Sequence, residues 1–267
     1  MQKKDTVSVI IPTWNRAHTI VDAVKSVLQQ TVPVLEILIC DDGSTDNTAE
    51  LLRLLNDGRI KIIGGLRAGR PAIPRNRGIR AAQGEWIAFL DSDDTWIPEK
   101  LEHQFQALQK QQTKASCTNA WRVVPAKGPV SAYLSFQSER ISLGTLLKTN
   151  YVICSSVLVS KSLLEEVGGF PEDERLKAIE DFGLWLRVAT KTQFAYCQEP
   201  LVNYTDDAAN SIRVDAREAV QRENVMRNYF DWYKTQHNRN YAREVKRAYR
   251  LAMKNNGRSF LERWKVK

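Results

Sequence analysis

The stretch Trp86-Ile87-Ala88-Phe89-Leu90 is apolar throughout and runs directly into Asp91-Ser92-Asp93-Asp94. A short continuous apolar run reads as a buried strand, and carboxylates at the end of such a strand point at something charged. Alternate strand side chains share a side, so Asp91 and Asp93 can face one site while Ser92 turns away. A hard divalent cation bridging a diphosphate suits that arrangement, because Mg²⁺ or Mn²⁺ is usually held by one or two carboxylates plus substrate phosphates. The competing reading is a solvated turn in which Asp94 caps a helix starting near Pro98.

The residues before this turn alternate between two periods. Val7 to Ile11, Val34 to Cys40 and Ile60 to Ile63 read as strands, while Ile20, Ala23, Val24, Val27 and Leu28 repeat at helical spacing. Ser44 or Thr45 can cap a second helix with Leu51, Leu52 and Leu55 inside. A third helix opens at Pro74 and stops near Gly84. Strands alternating with helices imply an α/β fold with a mostly parallel, doubly wound sheet flanked by helices. Ligands of such sheets bind beyond the carboxyl ends of the strands. Those ends carry Thr13-Trp14-Asn15-Arg16, Asp41-Asp42 and Asp91-Ser92-Asp93-Asp94. After Gln112 the pattern turns irregular, with candidate strands near Ala115–Val124 and Cys154–Ser160. The expected organisation is a ligand-binding half over 1–112, a second half of the same domain over 113–216 and a basic helical C-terminal extension over 217–267.

With 267 residues the chain can bury one full core. No apolar run approaches the roughly 20 residues that span a bilayer, and the N-terminus runs straight into a strand, so a cytoplasmic protein is expected. Cys40, Cys117, Cys154 and Cys197 are far apart with no histidine nearby, which argues against a zinc site or a disulfide framework. The formal net charge is +8, and ten Lys/Arg against two Asp/Glu between Arg239 and Lys267 account for all of it. A basic segment on a neutral body weakens a nucleic-acid reading, which expects a basic face on the fold itself.

Six motifs stand in order: Ser8 to Arg16 (SVIIPTWNR), Asp41 to Asp46 (DDGSTD), Arg75 to Gly78 (RNRG), Asp91 to Asp94, Gly168-Gly169-Phe170 and Glu180-Asp181-Phe182. Between about Thr6 and Ser211 the chain resembles the family 2 glycosyltransferases of the GT-A fold, the bacterial cell-envelope polysaccharide type. The resemblance implies transfer of a sugar, with inversion, from a nucleotide-diphospho-sugar donor, most often UDP-linked. The implied acceptor is a glycan or lipid-linked hydroxyl in polysaccharide or lipopolysaccharide synthesis.

Residue by residue, the resemblance implies Pro12, Trp14 and Arg16 around the nucleotide, with Asn15 fixing the loop. Trp14 would stack on the base, the alternative being a ring half-buried at the sheet's edge. Asp42 is implied as acceptor of the uracil imide proton, while Asp41 is read as structural within the Gly43 turn. Arg75 and Asn76, just inside a helix N-terminus, are implied to hold the donor. Asp91, with Ser92 beside it, is implied near the ribose or metal, and Asp93 as the direct ligand of Mn²⁺ or Mg²⁺. Without that cation several carboxylates would oppose a diphosphate, and with it the leaving group is stabilised. Asp181 is implied as the base that takes the acceptor's proton, with Glu180 a sugar-hydroxyl contact; capping of the helix from Phe182 is the structural alternative. Gly169 lets backbone approach the sugar. Trp96 and Trp185 are acceptor platforms or core residues with equal reason.

In the C-terminal stretch, Tyr241, Val245, Ala248 and Ala252 form one helical stripe, and Arg239, Arg243, Lys246 and Arg250 another on the far side. With Phe260, Leu261 and Trp264 beyond, 239–267 can lie on an anionic membrane surface at the inner face of the cell membrane. Alternatively the apolar stripe packs on the domain. Two other functional readings are a nucleotidyltransferase that makes the nucleotide sugar and a non-catalytic nucleotide- or membrane-binding protein. The first wants a glycine-rich, lysine-containing phosphate loop that Pro12-Thr13-Trp14-Asn15-Arg16 does not supply, and retention of Asp93 and Asp181 speaks against the second.

Overall fold

A computed structural model describes residues 5–125, 127–207, 218–236 and 243–254. Strands β1 (Val7–Thr13), β2 (Glu36–Asp41), β3 (Ile60–Gly64) and β4 (Trp86–Phe89) lie in the order β3-β2-β1-β4, all parallel. Helices α1 (Ile20–Leu28), α2 (Thr48–Leu54) and α3 (Ala72–Ala81) make the crossovers. Strand alternation feeds two cores: Ile10, Leu38, Cys40, Ile87 and Phe89 face one, and Val9, Ile11, Ile37, Ile39 and Ala88 the other. Both faces of the sheet are therefore covered, which is why these strands read as unbroken apolar runs. Gly78 lets α3 settle on the sheet: a Cβ there would stand 2.7 Å from Ile10 Cγ2 and 2.8 Å from Cys40 Sγ. That approach fixes where Arg75, one turn earlier, can reach.

The second half departs from the parallel pattern. After β5 (Thr95–Trp96) and α4 (Lys100–Gln111) come the hairpin β6 (Ala115–Val124) and β7 (Gly128–Ala132), then β8 (Arg140–Ile141), α5 (Leu143–Leu146), β9 (Leu158–Ser160), α6 (Lys161–Val167), α7 (Glu180–Lys191) and β10 (Phe194–Thr205). The sheet continues β4-β9-β6-β10-β5. β9 runs antiparallel to both β4 and β6, and β10 runs parallel to β6. The sheet is therefore mixed here: a parallel four-stranded unit continues into strands of both directions. The expected strand over Cys154–Ser160 divides into a 3₁₀ turn, Cys154–Ser156, and β9.

Two capping expectations are corrected. The helix α2 begins at Thr48, where Asp46 accepts the Thr48 amide at 3.1 Å, while Ser44 turns back to Asp41. Asp94 caps nothing: α4 starts after Glu99, and Asp94 is buried elsewhere. All four cysteines are free thiols, three of them buried.

Helix α8 (Glu218–Gln236) lies on α7, burying Val225, Met226 and Tyr229. Helix α9 (Arg243–Lys254) buries Val245 completely and stacks Tyr249 on Phe230 with ring centroids 4.2 Å apart. Val245 and Ala248 of its apolar stripe thus pack on the domain, while Arg243, Arg247 and Arg250 are exposed. Arg239, Tyr241, Phe260, Leu261 and Trp264 lie outside the described residues. Among the described residues no helix is long and apolar enough to cross a membrane.

Candidate active site

The carboxyl ends of β1, β2 and β4 open into a cavity of about 600 Å³. Register aligns them: Thr13 pairs with Asp41, and Ile10 with Phe89. Asp91, Ser92 and Asp93 line this cavity. Asp94 turns into the protein, where it accepts Ser155 Oγ at 2.5 Å and the Thr205 amide at 2.8 Å. Ser155 Oγ also accepts the Asp91 amide at 3.0 Å, and Thr205 Oγ1 donates to the Asp93 carbonyl at 2.5 Å. The acidic turn is therefore built from three distant segments, and the 3₁₀ turn Cys154–Ser156 and the end of β10, arriving at its back, hold it open toward the cavity.

Its charges are crowded. Burial and the neighbouring Asp91 raise the pKa of Asp93, and burial with the charges of Asp91 and Asp93 holds Asp94 well above the carboxylate range. Arg16 approaches Asp93, Nη2 to Oδ2, at 3.6 Å. Two cavity-facing carboxylates, with Asp91 raising the proton affinity of Asp93, are a donor set whose repulsion a divalent cation would relieve. Among the described residues no group of three or more metal-ligating side chains exists, so other ligands would come from substrate phosphates and water, as Mg²⁺ commonly takes them.

Arg75 is the centre of the site. Its Nη2 donates to Asp91 Oδ1 at 2.6 Å and its Nη1 to Glu180 Oε1 at 2.6 Å, with side-chain exposures of 6%, 31% and 5% for Arg75, Asp91 and Glu180. Burial works against the guanidinium charge, and the two carboxylates overcome it and hold its pKa well above the ordinary value. Glu180 Oε2 is buried with no partner. Next to it, at the start of α7, half-buried Asp181 lines the cavity and accepts the Phe182 amide at 2.8 Å. Burial and the adjacent Glu180 push Asp181 up to about 7, against the pull of Arg75.

On the other flank, Asn15 adopts φ 50° and fixes its loop by accepting the Thr45 amide at 2.8 Å. Pro12, Trp14 and Arg16 line the cavity. Trp14 is 42% exposed, and the Arg67 guanidinium lies over its ring at 3.3 Å from the centroid. Asp42 accepts the amides of Ala68 and Gly69, one on each oxygen, both at 2.8 Å. Asp41 accepts Ser44 Oγ at 2.6 Å.

Four expected residues stand away from this cavity. Asn76 clamps the turn after α6, donating to the Phe170 carbonyl at 2.9 Å and accepting the Phe170 amide at 2.8 Å. Gly169, at φ +67°, presses on that clamp, since a Cβ would lie 2.6 Å from Asn76 Oδ1. Both line a separate surface depression. Trp185 is fully buried among Phe89, Phe170 and Phe194. Trp96 donates Nε1 to the Ser155 carbonyl at 2.8 Å, and Lys100 lies 3.9 Å over its ring, an amine that burial lowers to about 7. Both tryptophans are core residues.

Other residues reach the cavity without any sequence signal. Tyr133 and Tyr204 meet with ring centroids 4.9 Å apart, and α8 contributes Arg222 and Val225. Arg222 donates to the carbonyls of Leu147 and Lys148. Aromatic pairs spread over β6–β10 have no local periodicity; Arg67 and Arg70, which also line the cavity, precede the Arg75 motif by a few residues and read in sequence as solvated surface.

The model for glycosyl transferase family 2 matches residues 8–168. The chain belongs to that family. As a family 2 glycosyltransferase it is 30% identical over 224 residues to the UDP-Glc:alpha-D-GlcNAc-diphosphoundecaprenol beta-1,3-glucosyltransferase WfaP of Escherichia coli, covering 84% of this chain and 86% of that protein. A second Escherichia coli UDP-Glc:alpha-D-GlcNAc-diphosphoundecaprenol beta-1,3-glucosyltransferase, WfgD, is 36% identical over 182 residues, 68% of this chain and 69% of its own. Among solved structures, Staphylococcus aureus TarS 1-349 in complex with UDP-GlcNAc superposes with a TM-score of 0.74 at 20% identity, over 98% of this chain and 76% of that one. The mannosyltransferase PcManGT of Pyrobaculum calidifontis, in complex with GDP-Man and Mn²⁺, reaches 0.62 at 18% identity, over 95% and 70%. These likenesses establish the GT-A fold of this family 2 enzyme. The family-model match ends before Glu180 and Asp181.

Proposed function

We propose that this glycosyltransferase moves a hexose from a UDP-linked donor, with inversion, to a hydroxyl of a lipid-linked glycan in cell-surface polysaccharide synthesis, with Asp181 as the base. The observation that carries the reading is the fork of Arg75, which sets the Asp91–Asp93 turn and the Glu180–Asp181 pair on opposite ends of one guanidinium. Relatives that act on a diphosphoundecaprenol-linked sugar support the acceptor class.

Asp181 accepts the proton of the acceptor hydroxyl while that oxygen bonds to the anomeric carbon. The bond from that carbon to the diphosphate oxygen breaks, and its electron pair leaves on the nucleotide diphosphate. A pKa of about 7 suits this role near neutral pH, where both the free carboxylate and a useful proton affinity are available. Glu180, with one oxygen on Arg75 and the other unpartnered, accepts a sugar hydroxyl. Trp14, Arg16 and Asp42 hold the nucleotide. Mn²⁺ or Mg²⁺ held by Asp93 and Asp91 would neutralise the diphosphate. The exposed arginines of α9 contact anionic lipid and keep the enzyme at the membrane of its acceptor.

A panel of nucleotide sugars, incubated with and without Mn²⁺ and a synthetic lipid-diphospho-sugar, tests this by release of the nucleotide diphosphate. UDP-hexose turnover that needs both metal and acceptor is expected. Turnover of no nucleotide sugar under any of these conditions would overturn the reading.

A further inference from the structure

Trp14 does not meet the cavity with a bare face. The Arg67 guanidinium covers it at 3.3 Å, closer than the combined thickness that a ring inserted between them would need. The backbone on either side of Arg67 is tied down. Ala68 and Gly69 donate to the two oxygens of buried Asp42. Arg70 reaches across the molecule to the Glu172 carbonyl at 2.8 Å. On the other side, Gly65 leaves room for the Arg77 guanidinium, which donates to the Asp41 carbonyl at 2.9 Å and would stand 2.1 Å from a Cβ at that position. Arg67 itself is exposed. The segment is thus held above the end of β2 while one long, planar, charged side chain is left to move.

We propose that Arg67 is the second wall of the nucleobase site, covering Trp14 in the free protein and, lifted by one ring thickness, stacking on the outer face of a base seated on Trp14. The inference rests on the reading of this cavity as a nucleotide-sugar site. A guanidinium suits either position, because its flat cation stacks on an indole and on a base alike. Covering Trp14 shields one face of the ring between turnovers, and closing over the base replaces one stacking contact by two. The anchored backbone limits how far Arg67 withdraws, so the slot accepts a planar ring and nothing thicker. A stack reads the flat face common to all bases and is blind to their edges. Arg67 therefore contributes affinity for nucleosides in general, while discrimination among bases lies with Asp42.

Calorimetry and Trp fluorescence titrations with UDP, and separately with uridine, test the assignment on the full chain, with thermal melts to check each variant. Arg67→Ala loses the Trp14 contact of the free protein as well as the base contact of the complex, so UDP should weaken by their difference, about 2- to 5-fold and less than one full stacked contact is worth, and uridine by the same factor. Arg67→Lys, charged but not planar, should recover only part of the loss. GDP should lose as much as UDP does. Tighter or unchanged UDP binding by Arg67→Ala, with Trp14→Ala weakened, would mean that Arg67 only occludes Trp14 and overturns the inference alone. A loss confined to UDP, with uridine unaffected, would make Arg67 a phosphate ligand and likewise overturn it. A wild-type chain that binds no nucleoside diphosphate, with or without Mn²⁺, would instead remove the nucleotide-sugar reading on which the inference stands.

Discussion

Arg75 and Glu180, one on the third helix and one opening the seventh, form a buried ion pair at 2.6 Å. The same guanidinium binds Asp91 at an equal distance, so one cation neutralises a carboxylate from each half of the sheet. Removing one partner of a buried pair costs about 3–5 kcal/mol because the other charge is left uncompensated. Arg75→Met should therefore destabilise the fold by roughly that amount in urea denaturation. Glu180→Gln should cost less, because Asp91 still neutralises Arg75. Equal stability of Arg75→Met and wild type would contradict this account.

Asp181→Asn should lower transfer by about two to four orders of magnitude, the worth of a positioned base, with UDP affinity nearly unchanged. The active form of Asp181 is the carboxylate, and its pKa stands at about 7, so the transfer rate should fall as pH drops through that value. Stability has the opposite sense. The folded pKa lies above the ordinary 3.8, so the folded state binds the extra proton between about 4 and 7 and stability declines as pH rises through that window. Melting of Asp181→Asn should show a larger gain over wild type at pH 8 than at pH 4. A gain independent of pH would place the shifted group elsewhere.

Asp93→Ala should abolish the part of UDP binding that depends on Mn²⁺ and leave the metal-free affinity unchanged or improved, since a repelling carboxylate is gone. Stripping wild type with EDTA should lower its affinity to that of the mutant or below it. Calorimetry that finds the same Mn²⁺ enhancement in Asp93→Ala would refute the assignment.

The basic helix needs a test that respects its packing. Truncation from Arg239 would remove the buried Val245 and the Tyr249–Phe230 stack, so loss of function would not separate anchor from scaffold. Replacing Arg243, Arg247 and Arg250 by Glu leaves that packing in place. Flotation with anionic liposomes should drop sharply, in line with about 1 kcal/mol for each basic residue near the surface, and wild-type binding should weaken with salt. Hydrolysis of a soluble donor should be unaffected. Liposome binding equal to wild type at low salt would exclude this face as the contact.

Local patterns in the chain determined the parallel unit β3-β2-β1-β4, the shared end of its strands and the motifs that stand there. A strand's period and a loop's turn chemistry are set by neighbours in sequence, so Asp91, Asp93 and Trp14 could be named as cavity residues before any coordinates, while Asp181 was named only through the family resemblance. The same patterns could not tell a buried indole from an exposed one, because Trp96, Trp185 and Trp14 differ only in what lies above them: Lys100, a cluster of Phe rings, or an exposed arginine at the edge of an open cavity. Only the tertiary structure decided that Asn76 clamps a turn, that Asp94 braces the acidic loop through Ser155 and Thr205, and that Arg75 joins the two carboxylate sites. Each of those contacts closes a long stretch of chain, and no local rule encodes a contact whose two partners are brought together by the packing of a whole sheet.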